Sequence, residues 1–325
     1  MARYVYVLVT GEVNLYPTLC YLSALSLRGV DPAARITLLT DEPTAAALHA
    51  ASHRLLPLVD DVVAISDAGS PKLISRVLKT TMLQRVREPF IFLDVDTLAV
   101  RPIADRFARP ESLQMALDRF PEAPEPVFPQ WVKPLYETMG WRCPTPRYFN
   151  SGVMFVKADA AAERVFDEWH RRWRAYVEKT GRQNDQPALN SAIDATGTAV
   201  GVLPVAYNAM VQVKENFRRG ARLLHFFADR YGADEGTEYQ KLIQRAQVGD
   251  ALSFADIQQS MSRRWPLVEP WSVRRHLVAG SFAGAWRTWR SGEARKHAAR
   301  AKSEATKRPI RSAPDAPEPS PAGFD

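Results

Sequence analysis

Cysteine is scarce in this chain. There are two, Cys20 and Cys143, in 325 residues, and no Cys-x-x-Cys pair. That excludes a disulfide framework and makes a reducing cytoplasm the expected compartment. Long apolar runs are also missing. No stretch approaches the ~20 residues of a membrane span, and the opening "MARYVYVLVT" is too short for a signal-peptide core, so it reads as a first strand. No internal repeat is visible. Net charge is absent from most of the chain: the total is +7, but from Arg263 onward thirteen Lys/Arg face six Asp/Glu, and before it the signs balance at thirty each. A neutral body gives no electrostatic case for nucleic acid, and none is expected as a partner.

The remainder is ordinary globular material, 46% hydrophobic and 24% charged, long enough for one large α/β domain. Strand-like and helix-like segments alternate through the first hundred residues. Strands are expected at 4–10, 35–41, 60–65 and from 90, with helices at 15–29 (stopping at Gly29), 43–52 and 72–86. Short connections between them argue for a mostly parallel sheet with helices on both faces, whose ligands sit outside the carboxyl ends of the strands. Residues 121–147 are so rich in proline and aromatics that a long ordered loop is expected. Then come a strand at 148–157, an amphipathic helix at 160–180, and further strand-like pieces in "AVGVLPVAYNAMV" and "ARLLHFF". We divide the chain into a catalytic domain at 1–262, a basic Trp/Arg-rich helical extension at 263–300 and a disordered tail at 301–325.

The chemistry concentrates at "FIFLDVDTLAV", residues 90–100, where an apolar strand ends in Asp94 and Asp96. Two readings compete. The segment fits the aspartyl-phosphate phosphohydrolase signature, with Asp94 as nucleophile. That motif usually lies on a first strand, however, and the late acidic pair it needs is imitated only by Asp250 and Asp256. Alternatively, two carboxylates at i and i+2 can hold a divalent metal that neutralises a leaving diphosphate.

Further motifs favour the second reading. "FLDVDTL" is followed by "YFNSGVMFV", "NDQPALN", "LPVAYNAMV" and "LLHFF", in that order. As a set these resemble the glycogenin-like glycosyltransferases, family 8 of the GT-A fold, over roughly residues 1–232. The resemblance implies a GT-A sheet and transfer of a sugar from a nucleoside diphosphate sugar, a UDP-sugar by family habit, with retention at the anomeric carbon. It implies Mn²⁺, or Mg²⁺, held by Asp94, Asp96 and His225. Asn150 and Asp185 would bond sugar hydroxyls, with Gln186 near the anomeric carbon. Thr10, Lys79, Asp94, Gly152 and Asn208 would contact the nucleotide-sugar.

Plainer roles stand beside these. His225 could be a satisfied strand-end histidine, Asn150 a turn residue before Gly152, Asp185 a helix cap, Asn190 a structural residue and Lys79 a solvated helical lysine. One departure is clear: "HFFADRYGADEG" lacks the Gly-x-x-Lys-Pro-Trp by which the family grips the diphosphate, leaving Arg230 as the substitute cation. A non-catalytic sugar-nucleotide or glycan-binding protein of the same fold is therefore a third possibility. The acceptor would be a carbohydrate, a lipid-linked saccharide or a protein, recognised by the 121–147 loop. The four tryptophans interleaved with arginines at 263–300 suit an anionic membrane surface, which would make the enzyme cytoplasmic and peripheral on the inner face; helices packed on the domain are the alternative.

Overall fold

The computed structural model describes residues 2–10, 15–119, 129–143, 147–213, 215–227 and 237–262, with Leu277, Phe282, Ala285, Trp286, Trp289 and Arg290 beyond them. The chain divides into two compact units, Met1–Glu269 and Pro270–Asp325. In the second, the described residues include Trp286 and Trp289, whose rings lie 5.1 Å apart.

The first unit opens with β1 (Arg3–Val7), α1 (Leu15–Val30), β2 (Arg35–Asp41), α2 (Glu42–Ala50), β3 (Asp61–Ile65), α3 (Pro71–Val86) and β4 (Phe90–Leu93). It continues with β5 (Thr97–Ala99), β6 (Leu113–Leu117), α4 (Lys133–Met139), β7 (Phe149–Val156), α5 (Ala160–Thr180) and α6 (Gln186–Thr196). Last come β8 (Val200–Val202), β9 (Ala209–Met210), β10 (Leu223–His225), α7 (Glu238–Gln247) and α8 (Phe254–Ser262). Seven strands form the main sheet in the order β3-β2-β1-β4-β7-β6-β8. All its pairings are parallel except those of β7 with β4 and β6. A small second sheet, β5-β10-β9, lies against it.

Period-two alternation explains why the central strands are apolar throughout. On β1, Tyr4 and Tyr6 enter one core and Val5 the other; on β4, Ile91 and Leu93 face one side, Phe90 and Phe92 the other. α1, α7 and α8 cover the first face through Leu19, Leu22, Leu27, Leu242 and Ile257. α3, α5 and α6 cover the second. The α5 stripe, Ala162, Val165, Phe166, Trp169, Trp173 and Tyr176, is fully buried at helical spacing, and each large side chain contributes roughly 2–3 kcal/mol of apolar burial. Asp159 starts that helix, accepting from the Ala161 and Ala162 amides at 3.1 and 2.9 Å.

Three expectations need correction. α1 does not stop at Gly29 but runs to Val30. Gly29 is needed for a different reason: a Cβ there would meet the Phe254 ring at 2.1 Å, so it admits α8. The proline-rich 121–147 segment is not loop throughout, because Lys133–Met139 is helical with Pro134 in its first turn, where proline's missing N–H is harmless; 120–128 and 144–146 lie outside the described residues. The strands β5 and β6 were unforeseen.

Candidate active site

The turn after β4 builds the first part of the site. Asp94 N donates to Gly152 O (2.8 Å) on antiparallel β7, and Thr97 Oγ1 donates to Asp94 O (2.8 Å), closing the loop that presents Asp94 and Asp96. The chain then continues as β5, which pairs antiparallel with β10 so that Thr97 stands opposite His225. Phe226 N donates to Asp96 O (3.0 Å). A residue 129 positions away thus arrives beside the two carboxylates. One ligand atom from each of Asp94, Asp96 and His225 lies within 4.8 Å of the others.

The residues around this trio fit a metal site. The His225 Nδ1 lies 2.9 Å from Asn208 Oδ1. Since an amide oxygen only accepts, Nδ1 carries the proton and Nε2, 3.4 Å from Asp96 Oδ1, keeps its lone pair for a metal. Gly152 completes the cradle: a Cβ there would come within 2.4 Å of His225 Cε1 and 2.8 Å of Asp94 Oδ2. Two hard carboxylate ligands and one imidazole suit Mn²⁺ or Mg²⁺. Burial opposes protonation of His225, but the Asp96 and Asp94 carboxylates outweigh it and hold its pKa above the ordinary value.

A buried polar network stands behind the trio. Asn150 uses its whole amide there: Oδ1 accepts from Gly152 N (2.9 Å) and Asn208 Nδ2 (3.0 Å), while Nδ2 donates to Asp118 Oδ1 (3.0 Å) and Gln186 Oε1 (3.3 Å). With those positions filled, Asn150 acts in this geometry as the hub that fixes its neighbours; the turn before Gly152 is real as well. Asn208, expected at the nucleotide, is fully buried and does not line the cleft; it orients His225 from behind. Asn190 is structural, clamping the Phe149 backbone through Phe149 N (2.6 Å) and Phe149 O (2.9 Å).

Asp185 is not a side-chain cap. It occupies the N-cap position of α6 in αR geometry with no capping bond. Its carboxylate instead meets Arg76 Nε at 3.0 Å and Lys79 Nζ at 3.6 Å. Burial alone would raise its pKa, yet the Lys79 and Arg76 charges pull it below the ordinary value, so it is an anion. Lys79 is no solvated lysine. It is 3% exposed, bonds Asp94 Oδ1 (3.0 Å) and Ser151 Oγ (3.4 Å), and sits 4.9 Å over the Phe92 ring. Trp169 Nε1 to Asp185 O (3.0 Å) and Trp173 Nε1 to Gln183 O (3.3 Å) tie the α5–α6 loop to the core. Gln186 Oε1 accepts from Ser151 N (3.1 Å).

These groups surround a cleft of ≈ 600 Å³ at the carboxyl edge of β1, β4 and β6. Thr10, Lys79, Asp94, Asp96, Asn150, Gly152, Asp185, Gln186 and His225 all line it. Arg230 lies outside the described residues. Sequence reasoning missed Arg76, Asp118, Ser151 and Trp131, which line the cleft too. Ser151 sits inside a motif already singled out, and Arg76 lies one helical turn before Lys79. Asp118, at the end of the unforeseen β6, gave no signal; burial raises its pKa, and hydrogen bonds from Asn150 and Gln186 oppose this only in part. The acidic pair of the phosphohydrolase reading is elsewhere engaged: Asp250 and Asp256 both pair with Arg245 (2.9 and 3.1 Å) and neither lines the cleft.

The sheet, with its single reversed strand and a cleft of carboxylates at the carboxyl edge, defines a GT-A glycosyltransferase architecture. The chain belongs to the nucleotide-diphospho-sugar transferase family, whose model matches residues 73–235, half its length. The resemblance read from the motifs is therefore borne out, and the phosphohydrolase reading is set aside. In fold, the chain is similar to the glycosyltransferase GlyE of Streptococcus pneumoniae TIGR4, with TM-score 0.52 and 13% identity over 79% of this chain and 62% of that one. It is also similar to the galactosyltransferase LgtC, solved with donor and acceptor sugar analogues (TM-score 0.49, 15% identity, 76% of this chain and 95% of that one). A third is mouse xyloside xylosyltransferase 1 (TM-score 0.48, 14% identity, 71% of this chain and 99% of that one). No curated protein matches.

Proposed function

We propose that this nucleotide-sugar glycosyltransferase is metal-dependent, uses a UDP-sugar, and transfers a hexosyl group with retention of anomeric configuration to a carbohydrate acceptor. The observation that carries the reading is the Asp94–Asp96–His225 trio, within 4.8 Å, in one cleft with Asp185 and Gln186. A bound Mn²⁺ or Mg²⁺ would neutralise charge developing on the leaving diphosphate. The protein's own residues do the remainder. Asp185, held ionised by Arg76 and Lys79, accepts from donor-sugar hydroxyls, and Gln186 faces the anomeric carbon. The bond from that carbon to the diphosphate oxygen breaks and one to the acceptor oxygen forms on the same face; the acceptor proton passes to the departing phosphate.

Lys79 supplies positive charge inside the site, and Arg230 is proposed for the phosphate contact that the missing Lys-Pro-Trp would have made. We assign catalysis to 1–262. We assign the basic extension at 263–300 to a peripheral contact with anionic lipid on the cytoplasmic face, a reading supported by its Trp/Arg composition. Among the described residues no helix is long and apolar enough to cross a membrane.

The test is release of free nucleoside diphosphate from UDP-, GDP- and CDP-sugars with Mn²⁺. Release from a UDP-sugar that falls at least a hundredfold in Asp96→Ala is the expected result. A protein that binds none of these donors would refute the reading, and binding without turnover across a broad acceptor panel would favour the non-catalytic alternative.

A further inference from the structure

A second cleft of ≈ 520 Å³ adjoins the first, and Lys72, Trp131 and Asn184 line both. Its chemistry differs. Four carboxylates, Asp94, Asp96, Asp118 and Asp185, line the donor cleft. Among the described residues no Asp or Glu lines the second one, whose charged side chains are Lys72 and Arg182. Both are exposed, and neither forms an ion pair with a described residue. The Arg182 guanidinium lies beside the Tyr176 hydroxyl, where it offsets part of the effect of burial on that phenol. The loop that carries Arg182, Gln183 and Asn184 is fixed by the Trp173 Nε1 bond to Gln183 O at 3.3 Å.

Trp131 stands at the shared rim with 53% of its surface exposed. The Arg119 guanidinium lies 5.7 Å from the centroid of its ring, and the part of the ring left to solvent beside amides and cations is a stacking platform for the C–H face of a sugar. The amide groups of Gln183 and Asn184 match sugar hydroxyls. The two cations, with no carboxylate lining their cleft, match an anion on that sugar.

We propose that the second cleft is the acceptor site and that the acceptor is an anionic saccharide, bearing a carboxylate or a phosphate, stacked on Trp131 with its charge against Lys72 and Arg182. Naming it the acceptor rests on the glycosyltransferase reading; the binding itself does not. The shared rim lets a saccharide of two or three units reach from this cleft toward the anomeric carbon.

Two matched pairs test this by calorimetry on the full chain: trigalacturonate against the corresponding neutral galactose trimer, and maltotriose 6-phosphate against maltotriose. The anionic member of at least one pair is expected to bind about tenfold tighter than its neutral partner, and which pair responds separates carboxylate from phosphate. The preference should shrink as salt rises, disappear in Lys72→Ala/Arg182→Ala and persist in Arg182→Lys, while Trp131→Ala weakens both members alike. Equal binding within both pairs, no binding to any of the four, or a preference that survives the double variant would overturn the proposal. UDP-sugar binding with Mn²⁺, measured on the same preparations, keeps the two readings apart. Its loss would sink the transferase assignment and leave the saccharide result standing.

Discussion

Asp185 is the residue on which the site's electrostatics turn. A fully buried carboxylate is normally pushed toward its neutral form; here Lys79 and Arg76 reverse that. Substituting Asp185→Asn removes the anion and leaves Lys79, 3% exposed, with Asp94 alone. A loss on the order of 3 kcal/mol is expected, read as a lower urea midpoint at pH 7. The pH dependence has a definite sign. Because the folded-state pKa is depressed, the stability from Asp185 is fully present above the ordinary carboxylate pKa and lost as pH falls through the lower folded value. The variant should therefore show a flatter acid limb, and an unchanged acid limb would mean that Asp185 is not held as an anion. Gly152 supports a second prediction. Adding a methyl in Gly152→Ala places a carbon 2.4 Å from His225 Cε1, so Mn²⁺ affinity measured by electron paramagnetic resonance should drop at least tenfold. Overpacking should also cost about 1–3 kcal/mol of stability. Retained Mn²⁺ affinity would place the metal away from this trio.

At the scale of elements, what was legible follows from what leaves a local trace. β1, β2, β4 and β7 are short apolar runs between turn signals, and α5 carries a six-residue buried stripe at helical spacing, so both kinds could be read directly. β5 is three residues long and takes its strand state from pairing with β10, a partner over a hundred positions away; no local pattern encodes that. α4 was hidden because proline density argues against helix unless proline falls in the first turn, as Pro134 does. Gly29 shows the converse error. A glycine late in a helix looked like its end, but the contact that requires it comes from α8. Gly29→Ala should therefore behave as an overpacking change, costing about 1–3 kcal/mol, where a helix-interior glycine with open space beside it would gain up to ~1 kcal/mol from the same substitution. A Tm that falls by several degrees distinguishes the two. The candidate site divides along the same line. Asp94 and Asp96 stand at a strand end in plain view, His225 was visible only through the family motif, and Asp118 required the fold.

For the whole molecule, the separation of charge is the organising fact. A body balanced at thirty charges of each sign is followed by a segment with thirteen Lys/Arg and six Asp/Glu. A compact enzyme gains little stability from that arrangement, since solvated arginines contribute little to a fold. It does fit an anionic bilayer, where each Lys or Arg near the surface contributes about 1 kcal/mol and tryptophan favours the headgroup boundary. Full-length protein is accordingly expected to co-sediment with vesicles containing phosphatidylserine at low salt, and to be released as ionic strength rises. Changing Arg274, Arg275, Arg287 and Arg290 together to glutamine removes about 4 kcal/mol of that attraction, roughly a thousandfold in partitioning. Nucleoside diphosphate release in the absence of vesicles should be the same for both proteins, because those four arginines lie outside the family match at 73–235. If the substituted chain still sediments with the parent's affinity, the basic extension does not bind lipid by its charge. A parent that never sediments would point to the alternative in which the extension packs on protein.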